Sequence, residues 1–189
     1  MSKSEGFTLV EVIAVIIIIG VIMLVAVPSY TEYVASSRKS AYVSNVKSYV
    51  ESARGGAYSK LYGALPESDE LLVIPYSILK LEKNNENKSP YAPYVVDRSY
   101  IVMVGRATID NLSVVYDYYV VFVDENNNGI NNVASTRLDR KDVLVLPNPG
   151  AIPTVASLSN GSKKLTYNSI TYSKCSTDGR GGAILMCAD

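Results

Sequence analysis

The sequence contains no histidine and no tryptophan, and it has only two phenylalanines and two cysteines in 189 residues. Without histidine, the chain lacks the commonest general base and the commonest metal ligand, and two cysteines are too few for a zinc-finger pattern. Acidic and basic residues balance at 18 each, so no net charge draws the molecule to nucleic acid. These absences disfavour hydrolytic and redox enzymes, and the many Tyr, Ser and Asp residues form no recognisable catalytic constellation.

One long apolar run stands near the start of the chain. Residues 7–27 read FTLVEVIAVIIIIGVIMLVAV, and about 20 apolar residues are enough for a helix to cross a hydrocarbon core about 30 Å thick. A cleaved secretory signal has a shorter apolar stretch, a basic start and a small-residue cut site after it. We therefore expect a membrane-spanning helix that stays in the protein.

Glu11 is the one charged residue inside this run. A charge at the centre of a membrane span costs roughly 2.5–3.5 kcal/mol on insertion scales. We therefore expect the charge of the Glu11 carboxylate to be neutralised or solvated. It could lie near the end of the span and reach the lipid headgroups. Alternatively, it could pair with a cation supplied by another molecule.

The motif around Glu11 resembles that of the type IV pilins and the pseudopilins of type II secretion. The resemblance rests on the string GFTLVE at residues 6–11, on Gly20, and on AVPSY at residues 26–30. It implies an α+β fold in which a long N-terminal helix packs against an antiparallel sheet. It also implies that residues 1–6 are a leader peptide.

For individual residues, the resemblance implies that a prepilin peptidase cuts between Gly6 and Phe7 and methylates the new N-terminus at Phe7. Glu11 would then pair with the terminal amine of a neighbouring subunit. The leader carries one lysine offset by Glu5, while Arg38 and Lys39 lie beyond the run. A positive-inside count therefore does not place the N-terminus in the cytoplasm, although the resemblance does.

The function implied is that of a pilin, a structural subunit of a type IV pilus serving adhesion, twitching motility or DNA uptake. It would be a single-pass cell-membrane protein before it joins a homo-oligomeric extracellular filament. Its partners would be other pilins, the prepilin peptidase and the assembly machinery, and no cofactor is implied. The alternative is a minor pilin or a pseudopilin that binds DNA, a secreted substrate or a host surface.

Residues 28–54 continue the helix with a single apolar face that repeats every three or four residues. Gly55 and Gly56 are expected to end it, which gives a helix of about 48 residues, or roughly 70 Å. Gly20 has low helix propensity and Pro28 cannot donate a hydrogen bond, so we predict a kink or local melting between them. The alternative is a simple proline bend in a continuous helix.

Residues 55–189 are predicted to form one globular head, with an irregular connection over 57–99 that includes a short helix at 70–74. Residues 112–123 alternate as a central strand, with one face covering the helix. That face consists of Leu112, Val114, Tyr116, Tyr118, Val120 and Phe122. Further strands are predicted at 100–104, 142–146, 154–158, 163–167 and 170–174. Asn160-Gly161 is predicted to form a hairpin turn.

The asparagine-rich segment after the central strand admits two interpretations. Asp124, Asn126, Asn128 and Ile130 have the spacing of the first ligands of a calcium loop, but Ser135 stands where such a loop has glutamate. The alternative is a solvated Asn-Gly turn. With the preceding VVFVD, the segment also resembles a turn of pilin-like proteins of the GspH and FimT type.

Cys175 and Cys187 are the only cysteines. On the exported side of a membrane they are expected to form a disulfide, which closes a short loop containing Arg180. This loop is similar in position to the C-terminal disulfide loop of many pilins, where it is exposed and often adhesive.

Overall fold

The computed structural model describes residues 7–63, 65–79, 89–110, 112–175 and 182–189. The predicted leader with Gly6, and Arg180 in the loop between the cysteines, lie outside the described residues. Residues 1–38 and 39–189 form two compact units. The elements are α1 (Leu9–Tyr58), β1 (Glu70–Pro75), β2 (Tyr100–Ala107), β3 (Val114–Val123), β4 (Asn128–Ala134), β5 (Leu144–Val145), α2 (Val155–Ser159), β6 (Leu165–Tyr167), β7 (Ile170–Lys174) and β8 (Ile184–Ala188).

The strands form one antiparallel sheet, which confirms the predicted α+β fold. Its order is β5-β4-β3-β2-β1-β8-β7-β6, and every pairing is antiparallel. The strand nearest the C-terminus, β8, lies between β1 and β7, so the two ends of the head's chain meet inside the sheet. The sequence analysis did not predict β1 or β8 as strands.

One face of the sheet packs against the second half of α1. The helix contributes a stripe of buried side chains, namely Tyr42, Val46, Tyr49, Val50, Ala53 and Ala57. The Tyr49 ring stacks on Phe122 with centroids 5.4 Å apart, and the Tyr42 hydroxyl donates to the Phe122 carbonyl at 3.2 Å. Burial raises the pKa of Tyr42 well above its ordinary value, so this phenol stays neutral and can donate.

The predicted helix-facing side of β3 is correct for Tyr118, Val120 and Phe122, which are buried in this core. Leu112 is an exception, because it lies before the strand begins and is 88 % exposed. The opposite side of the sheet is buried as well. There Tyr100, Val102, Val121 and Tyr172 pack under Ile152 and Leu158, which belong to the segment around α2. The sheet is therefore apolar on both faces.

The end of α1 lies beyond the predicted stop at Gly55 and Gly56. The Leu61 N–H donates to the Gly56 carbonyl at 3.0 Å, and the Lys60 N–H donates to the Ala57 carbonyl at 3.1 Å. With Lys60 at φ 56°, these bonds form the left-handed cap that ends many helices. Gly56 does not end the helix but leaves room for the Tyr62 ring, because a side chain at position 56 would collide with that ring.

Two local predictions had the wrong type of element. Residues 70–74 form strand β1 rather than a helix, because this segment pairs with both β2 and β8. Residues 154–158 are largely helix α2 rather than a strand. The Thr154 side chain caps this helix by accepting a hydrogen bond from the Ser157 N–H at 3.1 Å.

One predicted strand is shorter in the structure, and one turn prediction was wrong. The strand that returns after β3 is β4, within the asparagine-rich segment, and the predicted strand at 142–146 is reduced to the two residues of β5. Asn160 follows the end of α2 rather than forming a hairpin with Gly161. The hairpin between β6 and β7 turns at Asn168 and Ser169, both with positive φ. Asparagine tolerates this conformation better than most residues.

We predict that Gly129→Ala destabilises the head. A methyl group at this buried position of β4 would collide with the Phe122 backbone carbonyl and approach the Leu146 side chain to 2.9 Å, and such overpacking costs about 1–3 kcal/mol. Gly55→Ala is the control, because nothing lies within 4 Å of its added methyl. Thermal unfolding of the full chain in detergent, followed by circular dichroism, should show a lower midpoint for the first variant and an equal or higher one for the second. Equal midpoints for Gly129→Ala and the unchanged protein would contradict the geometry.

Candidate functional site

The first turn of α1 contains a reciprocal pair of side chains. The Thr8 N–H and the Thr8 hydroxyl each donate to Glu11 Oε2 at 2.9 Å, and the Glu11 N–H donates to Thr8 Oγ1 at 3.3 Å. This arrangement is a capping box, in which both side chains satisfy backbone N–H groups that the first turn leaves unpaired. The sequence analysis missed it, although the Thr-x-x-Glu spacing before an apolar run was a readable signal.

The surroundings of Glu11 are apolar. Phe7, Val12, Val15 and Ile16 line an open groove of about 300 Å³ together with Glu11. Phe7 is 87 % exposed, and the carboxylate lies among hydrocarbon side chains on the helix surface. The capping box gives this carboxylate hydrogen-bond donors, but it supplies no positive charge.

The rest of the apolar segment is not covered by the other described residues of its unit, 7–38. The large apolar side chains from Leu9 to Val27 are exposed, with exposed fractions of 45–78 %. In the part of the chain that the structure describes, α1 is the one helix long and apolar enough to cross a membrane. An apolar surface on all sides of a helix is stable only in lipid or against other helices.

The helix is continuous through Gly20 and Pro28 in the single chain. Next to Pro28, the Ser29 hydroxyl donates to the Val25 carbonyl at 3.2 Å and the Thr31 hydroxyl donates to the Pro28 carbonyl at 2.8 Å. The single chain thus has the continuous helix of the alternative interpretation. Melting of this segment within a filament stays a prediction.

Cys175 and Cys187 form a disulfide with Cα atoms 5.3 Å apart. Cys175 follows β7 and is buried, whereas Cys187 lies within β8 opposite Ser173 and Glu70. The disulfide therefore joins the end of one strand to a neighbouring strand in the sheet. Its position supports the predicted pairing.

Asp124 lies at the turn between β3 and β4 and is fully buried. Its Oδ1 accepts hydrogen bonds from the Asn126 and Asn128 N–H groups at 3.0 and 2.9 Å. Its Oδ2 accepts one from the Ser89 hydroxyl at 2.7 Å. The carboxylate thus closes its own turn and ties it to the segment at Ser89.

The turn before β4 consists of residues 124–127, with Asn127 at φ 60°, and the hydrogen bonds to the Asp124 carboxylate close it. Asn128 and Gly129 already belong to β4, so they do not form the Asn-Gly turn of the alternative interpretation. Ile130 is a buried strand residue paired opposite Phe122. Calcium binding by this segment stays a prediction.

A comparison with known families agrees with the features of α1. Residues 1–27 match the prokaryotic N-terminal methylation motif. This motif is typical of type IV pilins and pseudopilins, and the long N-terminal helix followed by an antiparallel sheet is a pilin-like α+β architecture. No solved structure matches this chain.

More particularly, the motif supports a type IV pilin-like or pseudopilin protein. Proteins with such a motif are processed by a prepilin peptidase and assemble into filaments. The apolar helix and the motif together fit anchoring in a membrane before assembly into a surface filament. The motif is typical of structural pilins rather than of an enzyme family.

We predict that loss of the disulfide destabilises the head by about 3 kcal/mol, the value of the chain-entropy model for a loop of this size. The size of the loop is given by the sequence separation of 12 between Cys175 and Cys187. The double variant Cys175→Ser/Cys187→Ser should unfold at lower urea concentration than the oxidised protein. A reducing agent should lower the midpoint of the unchanged protein but not that of the double variant. Identical midpoints for oxidised and reduced protein would contradict a stabilising role.

We predict a graded loss of stability at Asp124. Asp124→Ala leaves the buried Ser89 hydroxyl without an acceptor, at about 1–3 kcal/mol for such a group, and it also removes the acceptor of the partly buried Asn126 and Asn128 N–H groups. Asp124→Asn keeps one oxygen for the Asn126 and Asn128 N–H groups and should lose less. Asp110→Ala, at an exposed position, is the control and should unfold like the unchanged protein. Urea unfolding measures all three, and an Asp124→Ala midpoint equal to that of the control would refute the assignment.

Proposed function

We propose that this protein is a structural subunit of a type IV pilus or a related filament, which polymerises through α1 for adhesion, motility or DNA uptake. The observation that carries the proposal is the position of Glu11. Glu11 is the one acid among residues 7–27, and the large apolar side chains around it are exposed among the described residues of their unit.

The first step in the mechanism is cleavage between Gly6 and Phe7. It would give Phe7 a free, methylated amine that is positively charged. This amine lies one residue before Thr8, which caps the helix, so the cut places a cation beside the first turn. Such a cation is what the capping box does not provide.

The second step is the association of α1 segments from several copies. Burying the apolar side chains of residues 7–27 against one another removes them from lipid contact, but it also buries Glu11. A buried carboxylate is tolerated when a cation pairs with it and is strongly unfavourable when it is left alone. Pairing with the Phe7 amine of a neighbour therefore selects one axial position of each helix relative to the next.

Charge and helix capping can be separated by substitution at two positions. Glu11→Gln keeps an oxygen that can accept from Thr8, as glutamine does in capping boxes, but it removes the negative charge. Thr8→Val removes the hydroxyl and keeps the charge, and Thr8→Ser restores the hydroxyl as a matched control. If pairing drives assembly, the charge is the essential feature.

We predict that Glu11→Gln and Glu11→Ala both insert into the membrane and are processed, yet yield at least tenfold less filament, because each removes the charge. Thr8→Ser should resemble the unchanged protein, and Thr8→Val should retain most assembly. Sheared filaments are compared with total subunit by immunoblot. Mass spectrometry of the mature chain checks the loss of six residues and the methyl group on Phe7. Normal filament yield from Glu11→Gln would overturn the pairing mechanism.

A further inference from the structure

Two large apolar side chains project from the hairpin between β2 and β3. Ile109 is fully exposed and Leu112 is 88 % exposed. The strands pair up to Ala107 and Val114, and just beyond that pair the Thr108 N–H donates to the Ser113 carbonyl at 2.9 Å. Ile109 and Leu112 therefore project beyond the last hydrogen bond of the hairpin. We call these two side chains the hairpin tip.

An open apolar hollow lies elsewhere on the head. Its volume is about 250 Å³, larger than the roughly 150 Å³ of an apolar cavity that holds benzene. It is lined by Asn131, Leu146, Pro147, Asn148, Ala151, Ile152 and Pro153. Next to it, the two residues of the edge strand β5, Leu144 and Val145, are 55 % and 71 % exposed. We call this region the outer hollow.

The hairpin tip and the outer hollow lie at opposite ends of the sheet. The tip adjoins the Ala107–Val114 pair at the start of β3. The hollow adjoins Asn131, which pairs with Val121 near the end of β3, and the Leu146 N–H donates to the nearby Asn127 carbonyl at 2.8 Å. Strands rise about 3.3 Å per residue, so the length of β3 separates the two features by roughly 25–30 Å. They cannot meet within one chain.

The apolar area of the tip restricts what can occupy the hollow. Burying an aliphatic side chain contributes free energy in proportion to the apolar surface that it removes from water. By that proportion, the two side chains of the tip offer roughly 200 Å² of apolar surface. A stable pair of proteins needs about 800 Å² on each partner. The contact is therefore too small to hold a separate protein, but it suits two copies that another interaction already holds together.

We propose that the hairpin tip of one copy inserts into the outer hollow of the next copy along the filament. The proposal rests on the proposed function, because the α1 bundle supplies the interaction that holds the copies together. An apolar projection at one end of β3 and an apolar hollow near the other end allow a head-to-tail contact. Repetition of such a contact produces an open assembly with a direction rather than a closed dimer.

Cysteine cross-linking tests the contact in assembled filaments. Both native cysteines are in the disulfide. Cross-linking of two introduced cysteines can therefore be measured without interference from native thiols. Leu112→Cys combined with Ala151→Cys places thiols on the tip and the hollow, both at exposed positions. Each single variant is a control. Leu112→Cys with Lys163→Cys is the matched pair, because exposed Lys163 adjoins β6 at the other edge of the sheet.

A short bismaleimide linker should convert sheared filaments of the Leu112→Cys/Ala151→Cys protein into a ladder of dimers, trimers and longer species. The cross-linked fraction should be at least tenfold above that of either single variant and of the matched pair, and it should vanish in detergent-dispersed subunits. Filaments that form normally without this ladder, or with an equal ladder from the matched pair, would overturn the contact but leave the proposed function intact. Failure of the unchanged protein to form filaments would overturn the proposed function and this contact with it.

Discussion

The structure depends on one constraint, which is that α1 carries apolar surface for two different environments. From Leu9 to Val27 its side chains are apolar on all sides and exposed. From Tyr42 to Ala57 only one stripe is apolar, and that stripe is buried under the sheet. The second part is satisfied within its own unit and fixes the head. An apolar helix surface like that of the first part is stable in lipid or against other helices.

The head meets the helix through tyrosine rather than through aliphatic side chains alone. Tyr49 and Tyr76 share a hydrogen bond between their hydroxyls at 3.0 Å, and their rings meet edge to face with Phe122 close to both. A tyrosine ring buries as much apolar area as phenylalanine, while its hydroxyl needs a polar partner. Each such bond restricts where the helix stripe can sit on the sheet.

The sequence predicted α1, β3, β6 and β7 because each has a clear period or clear turn residues, and it located the acid at the start of α1. It failed where burial removes the period. The segment LLVIP in β1 is buried on both faces, so it shows neither the alternation of a half-exposed strand nor the spacing of a helix. Thr154 was placed at the start of a predicted strand, whereas its hydroxyl caps α2. The order of the sheet, with β8 inserted beside β1, depends on contacts distant in sequence that no local pattern encodes.

The capping box at the start of α1 changes how Glu11 should be understood. In the single chain Glu11 Oε2 accepts two hydrogen bonds from Thr8, so the carboxylate is held in position by its own helix, although it still lacks a positive charge beside it. On the proposed function, the amine of a neighbour then adds charge to a carboxylate that is already positioned, rather than rescuing an isolated one. The side chain is ordered before association, so less conformational entropy is lost when the pair forms. Because the Thr8 bonds can re-form when the neighbour leaves, dissociation does not strand an unsatisfied acid. The same residue can thus support both growth and disassembly of a filament.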